Sequence, residues 1–121
     1  MREIKFNAVD EETGDYVFFN DWAEANKNED DTHNETLALF IKEHRCYKLL
    51  PYTGVKDNNG VEIYEGDIVK LKYAPEPQVI IYSPVLAMFT IGRKYRFTAV
   101  QDIEVLGNIY QSQRRGYYNG R

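Results

Sequence analysis

Glu62, Glu65 and Asp67 crowd into six consecutive positions, and carboxylates at that spacing are raw material for general acid–base chemistry. On a hairpin with an exposed edge, acids more often keep the strand soluble and unpaired. Asp67 has a further structural use: a carboxylate directly after Gly66 reaches the backbone N–H groups of its own turn. That use is preferred here, and no catalytic residue is assigned. His44 and Cys46 stand two residues apart, so a strand would put both on one face as a Cys–His couple. Activation of a thiol needs an electropositive pocket, and the plainer expectation is a buried structural Cys46 beside an exposed His44. Ser83 and Ser112 lack a nucleophile-elbow context. His33 with Glu29, Asp30, Asp31 and Glu35 matches no calcium loop, and one Cys with two His cannot close a structural zinc site. Gly54, Gly60 and Gly66 are too widely spaced to cradle a phosphate. No metal or other cofactor is expected, and the chain reads as a non-enzyme.

The stronger candidate is a surface. Lys70, Lys72, Arg93, Lys94 and Arg96 fall on polar faces of expected strands or on their connections, with Tyr95 among them. Arg114, Arg115 and Arg121 decorate the tail, and Tyr73, Tyr82, Tyr117 and Tyr118 lie nearby in sequence. Lys and Arg track phosphates and aromatic rings stack on bases, so Lys70, Lys72, Arg93, Lys94, Tyr95 and Arg96 form a candidate binding surface. The same aromatic content suits a protein partner, and scattered solubilising charge explains the cations equally well. Convergence of the basic residues on one face would favour nucleic acid, and a contiguous aromatic patch would favour a protein.

Bulk properties narrow the class. With 121 residues the chain makes one domain, or a barrel with an extension, and can bury a core without staples. A net charge of −4 argues against a wholly basic DNA-coating protein but leaves room for a local basic patch. The single cysteine, Cys46, forms no internal disulfide, which fits a reducing cytoplasm. No secretory h-region follows the first charges, and no apolar run approaches a membrane span. Ten Tyr against six Phe and one Trp suit half-buried strands and contact surfaces alike.

The elements that must position these residues read mainly as strands. Ile4, Phe6 and Ala8 alternate with Glu3, Lys5 and Asn7, predicting a strand with its apolar side inward. Asp10-Glu11-Glu12-Thr13-Gly14 turns the chain, and Asp15 to Phe19 returns as a second strand. Asp21 to Glu35 carries six acids against one lysine and reads as a solvated loop. Thr36 to Leu50 has two readings. Thr32 and Glu35 have capping-box spacing and Leu37, Phe40, Ile41 and His44 share a helical face, yet Leu37, Leu39 and Ile41 also alternate. Asn59-Gly60 between β-prone segments predicts a two-residue type I′ hairpin, with both residues at positive φ. Beyond it, Val69, Leu71 and Tyr73 point one way, with Lys70 and Lys72 opposed, and Ala74 to Pro77 must loop. Gln78–Ser83, Leu86–Ile91, a segment alternating through Tyr95, Phe97 and Ala99, and Ile103–Ile109 complete short strands at the spacing of a small closed or nearly closed barrel.

Three blocks carry a family resemblance. Tyr52-Thr53-Gly54, Lys56-Asp57, Asn59-Gly60 and Glu62-Ile63-Tyr64-Glu65-Gly66-Asp67-Ile68-Val69 resemble the signature of the YopX family of phage and prophage proteins. The opening Arg2-Glu3-Ile4-Lys5-Phe6 and the closing Glu104-Val105-Leu106-Gly107-Asn108-Ile109-Tyr110 are similar to that family's first and last strands. Where the family reads Arg-Ala-Trp-Asp after the opening Phe, this chain has Asn7-Ala8-Val9-Asp10. The resemblance implies an SH3-like barrel and a mobile-element origin, but no particular activity. It tips Thr36 to Leu50 toward two strands with a turn near Lys42-Glu43-His44. The expectation is thus an all-β protein: a β-rich N-terminal extension over 1–50 with an acidic loop at 21–35, an SH3-like barrel over 51–110, and a flexible basic tail over 111–121. The expected role is a binding module in the host cytoplasm recognising a host protein or a nucleic acid. A self-assembling scaffold and a small enzyme acting on host components are the alternatives.

Overall fold

The computed structural model describes residues 4–26, 33–98 and 102–111. The elements in chain order are β1 (Phe6–Val9), β2 (Tyr16–Val17), α1 (Phe19–Ala25), α2 (His33–Glu43), β3 (Lys48–Lys56), β4 (Glu62–Tyr64), β5 (Asp67–Leu71), β6 (Gln78–Ser83), β7 (Met88–Ile91) and β8 (Ile103–Asn108). The chain is mainly β, as its punctuation predicts. Two four-stranded antiparallel sheets run β2-β1-β3-β4 and β7-β6-β5-β8, the second curled. Among the described residues, no helix is long and apolar enough to cross a membrane.

The N-terminal hairpin forms where it is expected. Asp10 organises its turn, with Oδ1 accepting the Glu12 N–H at 3.0 Å and the Asp10 carbonyl accepting the Gly14 N–H. Gly14 supplies the positive φ, +78°. The facing is not as expected, however. Ile4 is 63% exposed, while Lys5 and Asn7 are buried. Strand β1 lies between β2 and β3 and is covered on both sides, so polar–apolar alternation no longer marks the inward face. The second strand is also shorter than expected, ending at Val17.

Two helices replace an expected loop and two expected strands. Asp21 to Ala25, read as solvated loop, belongs to α1, and His33 to Glu35 open α2; residues 27–32 lie outside the described residues. Helix α1 starts at Phe18, which has no side chain able to cap. Its cap comes from elsewhere: Asn7 Oδ1 on β1 accepts the Phe19 N–H at 2.9 Å. Helix α2 uses the helical face rather than the strand alternation, burying Phe40 completely while Leu39 stays exposed. Phe40 sits in an aromatic cluster, its ring centroid 5.1 Å from Phe19, 5.2 Å from Trp22 and 4.4 Å from His44. Burial of that cluster against Ala8 and Leu49 is what holds the helices to the first sheet. His44 is therefore buried and Cys46 exposed, the reverse of expectation. The His44 imidazole is fixed by its Nδ1, 2.8 Å from the Phe40 carbonyl oxygen.

The second core packs Ile63 of β4 together with Val69, Leu71, Ile80, Ile91 and Ile103 of the second sheet. Strand β6 forms over its expected residues. Tyr73 leaves the core altogether and is 87% exposed, because β5 ends at Leu71. Leu86 lies in the β6–β7 turn; of the expected strand through Tyr95 the described residues show one bridge, between Tyr95 and Ile91, and Ala99 lies outside them. Strand β3 spans the expected 50/51 boundary and pairs Pro51 with Phe6.

The β3–β4 hairpin is present, but not as a type I′ turn. Gly60 has φ +80°, whereas Asn59 is absent from the positive-φ residues among those described. The Gly60 N–H reaches the Asp57 carbonyl at 3.1 Å and the Asp57 N–H reaches the Val61 carbonyl at 2.8 Å. This is a three-residue loop, a turn followed by a left-handed glycine. Asp57 makes the choice: its Oδ1 accepts the N–H groups of Asn59 and Val61, both at 2.8 Å.

Candidate functional site

The residues of the expected basic surface lie on β5 and just after it, and on the segment that follows β7. Lys70 is exposed on β5 and pairs in register with Glu104 of β8. Lys72 holds its ammonium 5.5 Å from the Tyr73 ring, and its N–H donates to the Asp102 carbonyl. Arg93 and Lys94 ride the tight turn that the Ile91–Tyr95 backbone pair closes, and Arg96 is exposed just beyond. Tyr95 is half-buried against the second core. Lys72 and Tyr95 meet in a cleft of about 220 Å³ that also contains Asp102; Lys70, Arg93, Lys94 and Arg96 do not line it. Acids therefore interleave with the cations on β5 and β8. Arg114, Arg115, Arg121, Tyr117 and Tyr118 lie outside the described residues.

Between the sheets opens a larger groove that sequence reading missed. About 940 Å³ in volume, it runs from Phe6 and Tyr52 on the first sheet to Tyr82, Met88 and Phe89 on the second, with Phe97 beside them. Tyr82 and Phe89 are register partners on β6 and β7, and their rings meet edge-on at 5.2 Å. Cross-strand aromatic pairs of this kind build a rigid wall. Lys5 and Glu65 supply charge at its polar side. The approach is apolar too: Ile4, Tyr82, Val85, Leu86 and Met88 are all exposed. Only knowledge of the β6–β7 register would have brought Tyr82 and Phe89 together from sequence.

A second chamber of about 460 Å³, with buried polar side chains in its lining, lies where α1, β4, β5 and β8 meet. Asn7, Asn20, Glu62, Tyr64, Asp67 and Asn108 contribute its polar lining. Asp67 is 6% exposed, and its Oδ2 accepts the Tyr64 N–H at 2.8 Å, the turn role expected for it. Burial pushes this carboxyl up to about 7, only partly offset by that hydrogen bond. Tyr16 is raised by its own burial and then by the Asp67 charge. Glu62 behaves oppositely. Burial would raise it, but Lys5 at 2.5 Å, Asn20 at 2.7 Å and Tyr64 at 3.2 Å hold its carboxyl below the usual range.

Comparison with known proteins bears on this arrangement. The family described as YopX protein matches residues 5–115. The chain belongs to the YopX family. No curated protein matches it. A crystal structure of protein EF1440 from Enterococcus faecalis is similar to it at 22% identity and a TM-score of 0.55, covering 95% of this chain and 99% of that one. At that identity the likeness speaks for the fold alone.

In this YopX chain the signature block is structural hardware. Thr53 Oγ1 donates to the Ile63 carbonyl at 2.7 Å, joining β3 to β4. Asp57 adds a bond from Val105 to those it makes in its own turn. Gly66 has φ +89°, and a Cβ there would lie 3.0 Å from the Tyr110 ring. Asp67 pairs in register with Asn108, whose Oδ1 accepts the N–H groups of Tyr110 and Gln111. Asn7 is the residue that caps α1.

Proposed function

We propose that this YopX protein is a non-enzymatic accessory factor of a phage or prophage that recognises a host protein in the cytoplasm, with the curled second sheet as its SH3-like element. Its binding surface is the apolar groove between the sheets, and the occupant is an extended apolar segment of the partner. The observation that carries this reading is the aromatic lining of the groove, Phe6, Tyr52, Tyr82, Phe89 and Phe97. Rings of this kind supply pockets for the side chains of an extended segment. Nucleic acid is the weaker reading, because Glu104 and Asp102 accompany Lys70 and Lys72.

The test compares tagged wild-type protein with a Tyr82→Ala/Met88→Asp variant in host lysate treated with nuclease. Both positions are exposed, so the variant keeps its core. A nuclease-resistant partner bound by the wild type and lost by the variant supports the groove. A partner retained by the variant, lost with nuclease, or identical to the bait overturns it.

A further inference from the structure

The second chamber holds a carboxyl whose chemistry is unfinished. Asp67 is 94% removed from solvent, by the 6% exposure given above, yet Oδ2 alone is bonded, to the Tyr64 N–H. Among the described residues no donor reaches Oδ1 and no cation pairs with Asp67. Burying an ionised carboxylate without a counter-charge is costly, and a ligand that brings one recovers that cost. The other charges on the chamber do not serve. Glu62 is committed to Lys5, Asp21 adds a like charge, and Lys56 is exposed and forms no ion pair among the described residues. Asn7 and Asn108 spend their carbonyl oxygens on Phe19, Tyr110 and Gln111. Phe18, Val61 and Val105 give the chamber apolar lining. A buried carboxylate, apolar lining and a volume of about 460 Å³ describe a receptor for a small amphipathic cation.

We propose that this chamber binds a small organic cation, a guanidinium or primary ammonium group on a short apolar stem, with its N–H donating to Asp67 Oδ1. The stem lies against Phe18 and Val105, and the cation replaces the counter-charge that the fold omits. The site is separate from the apolar groove and stands or falls independently of it.

The experiment titrates n-butylguanidinium into the full chain at about pH 8, where Asp67 is ionised, and follows backbone amide NMR shifts. n-Butylurea, of similar shape but neutral, is titrated in parallel. The expected result is saturable shifts centred on Tyr64, Asp67 and Asn108, with butylurea binding at least about tenfold more weakly. The Asp67→Asn variant, folded by its amide dispersion, loses saturation. Equal binding of butylurea, shifts centred elsewhere, an absence of saturation, or unchanged binding by folded Asp67→Asn overturns the proposal. Should the variant fail to fold, the guanidinium–urea comparison on the wild type decides the matter.

Discussion

Asp57 and Val105 are 48 residues apart, yet the Asp57 Oδ2 accepts the Val105 N–H at 2.9 Å. With Oδ1 holding Asn59 and Val61, one carboxylate closes its own hairpin and fastens it to the last strand. Asn58 doubles the link, donating from Nδ2 to Asp102 and accepting the Ile103 N–H on Oδ1. This couples the first sheet to the second through a loop, in addition to the packing of Ile63 and Val55 against the second core.

Removing the carboxylate leaves three backbone N–H groups short of an acceptor. Asp57→Ala should lower stability by about 3 kcal/mol or more. Asp57→Asn, which keeps one acceptor oxygen, should cost less. Urea melts of the two variants check this; an Asp57→Ala midpoint equal to wild type would show that the junction is incidental.

The two turn glycines should differ. Gly60→Ala meets open space and bears only the left-handed backbone penalty, about 1–2 kcal/mol. Gly66→Ala adds the clash with the Tyr110 ring and should cost more. Thermal melts should rank Gly66→Ala below Gly60→Ala, and the opposite order would refute the assigned environments.

Asn7→Ala should remove the cap of α1 and cost about 1 kcal/mol, within the usual range for a lost N-cap. Helix α1 carries Trp22 against Phe40, so its loosening should redden Trp22 emission before global unfolding. Unchanged emission in native buffer would separate Asn7 from the helix.

Asp67 gives stability a definite pH slope. Its folded-state value, about 7, lies above the ordinary carboxylate value, so between those limits the folded chain holds a proton that the unfolded chain releases. The contribution is fully present below about pH 4 and is lost as pH rises through about 7, on the order of 4 kcal/mol at most. Glu62, held low, acts in the other sense and weakens the fold only as pH falls into the acid range. Tyr64 also lines the chamber and Tyr16 feels the Asp67 charge, but burial raises both, so they stay neutral across this window. Urea melts should show the wild type losing stability from about pH 4 to about pH 7 and Asp67→Asn flattening that loss. Parallel slopes would locate the titration elsewhere.

What could be read from sequence was what local chemistry determines. The Asp10–Gly14 turn, the Asp67 turn bond and strand β6 depend on residues close together, and each forms as expected. The misses are non-local. Helix α1 has no cap of its own and borrows Asn7 from across the sheet. Helix α2 showed its face through Phe40 and His44, but a competing alternation through Leu39 and the family resemblance outweighed it. The Asn59-Gly60 hairpin was placed correctly and typed wrongly, because Asp57 decides the loop length. The groove depends on the register between Tyr82 and Phe89, and the chamber on Asn108 meeting Asp67 across β5 and β8. Neither pairing leaves a mark in a linear chain.

The antiparallel pairing of β5 with β8 has a consequence for incomplete chains. Strand β5 is among the earlier elements of the second sheet, but its partner is the last strand among the described residues. Until Ile103 to Asn108 arrive, β5 presents a bare row of backbone donors and acceptors flanked by Ile68, Val69 and Leu71. An apolar strand in that state is a template for intermolecular pairing. Chains ending before Ile103, whether by proteolysis or premature termination, should therefore aggregate rather than persist as a loosened monomer. The final strand acts as an internal chaperone for the sheet it completes.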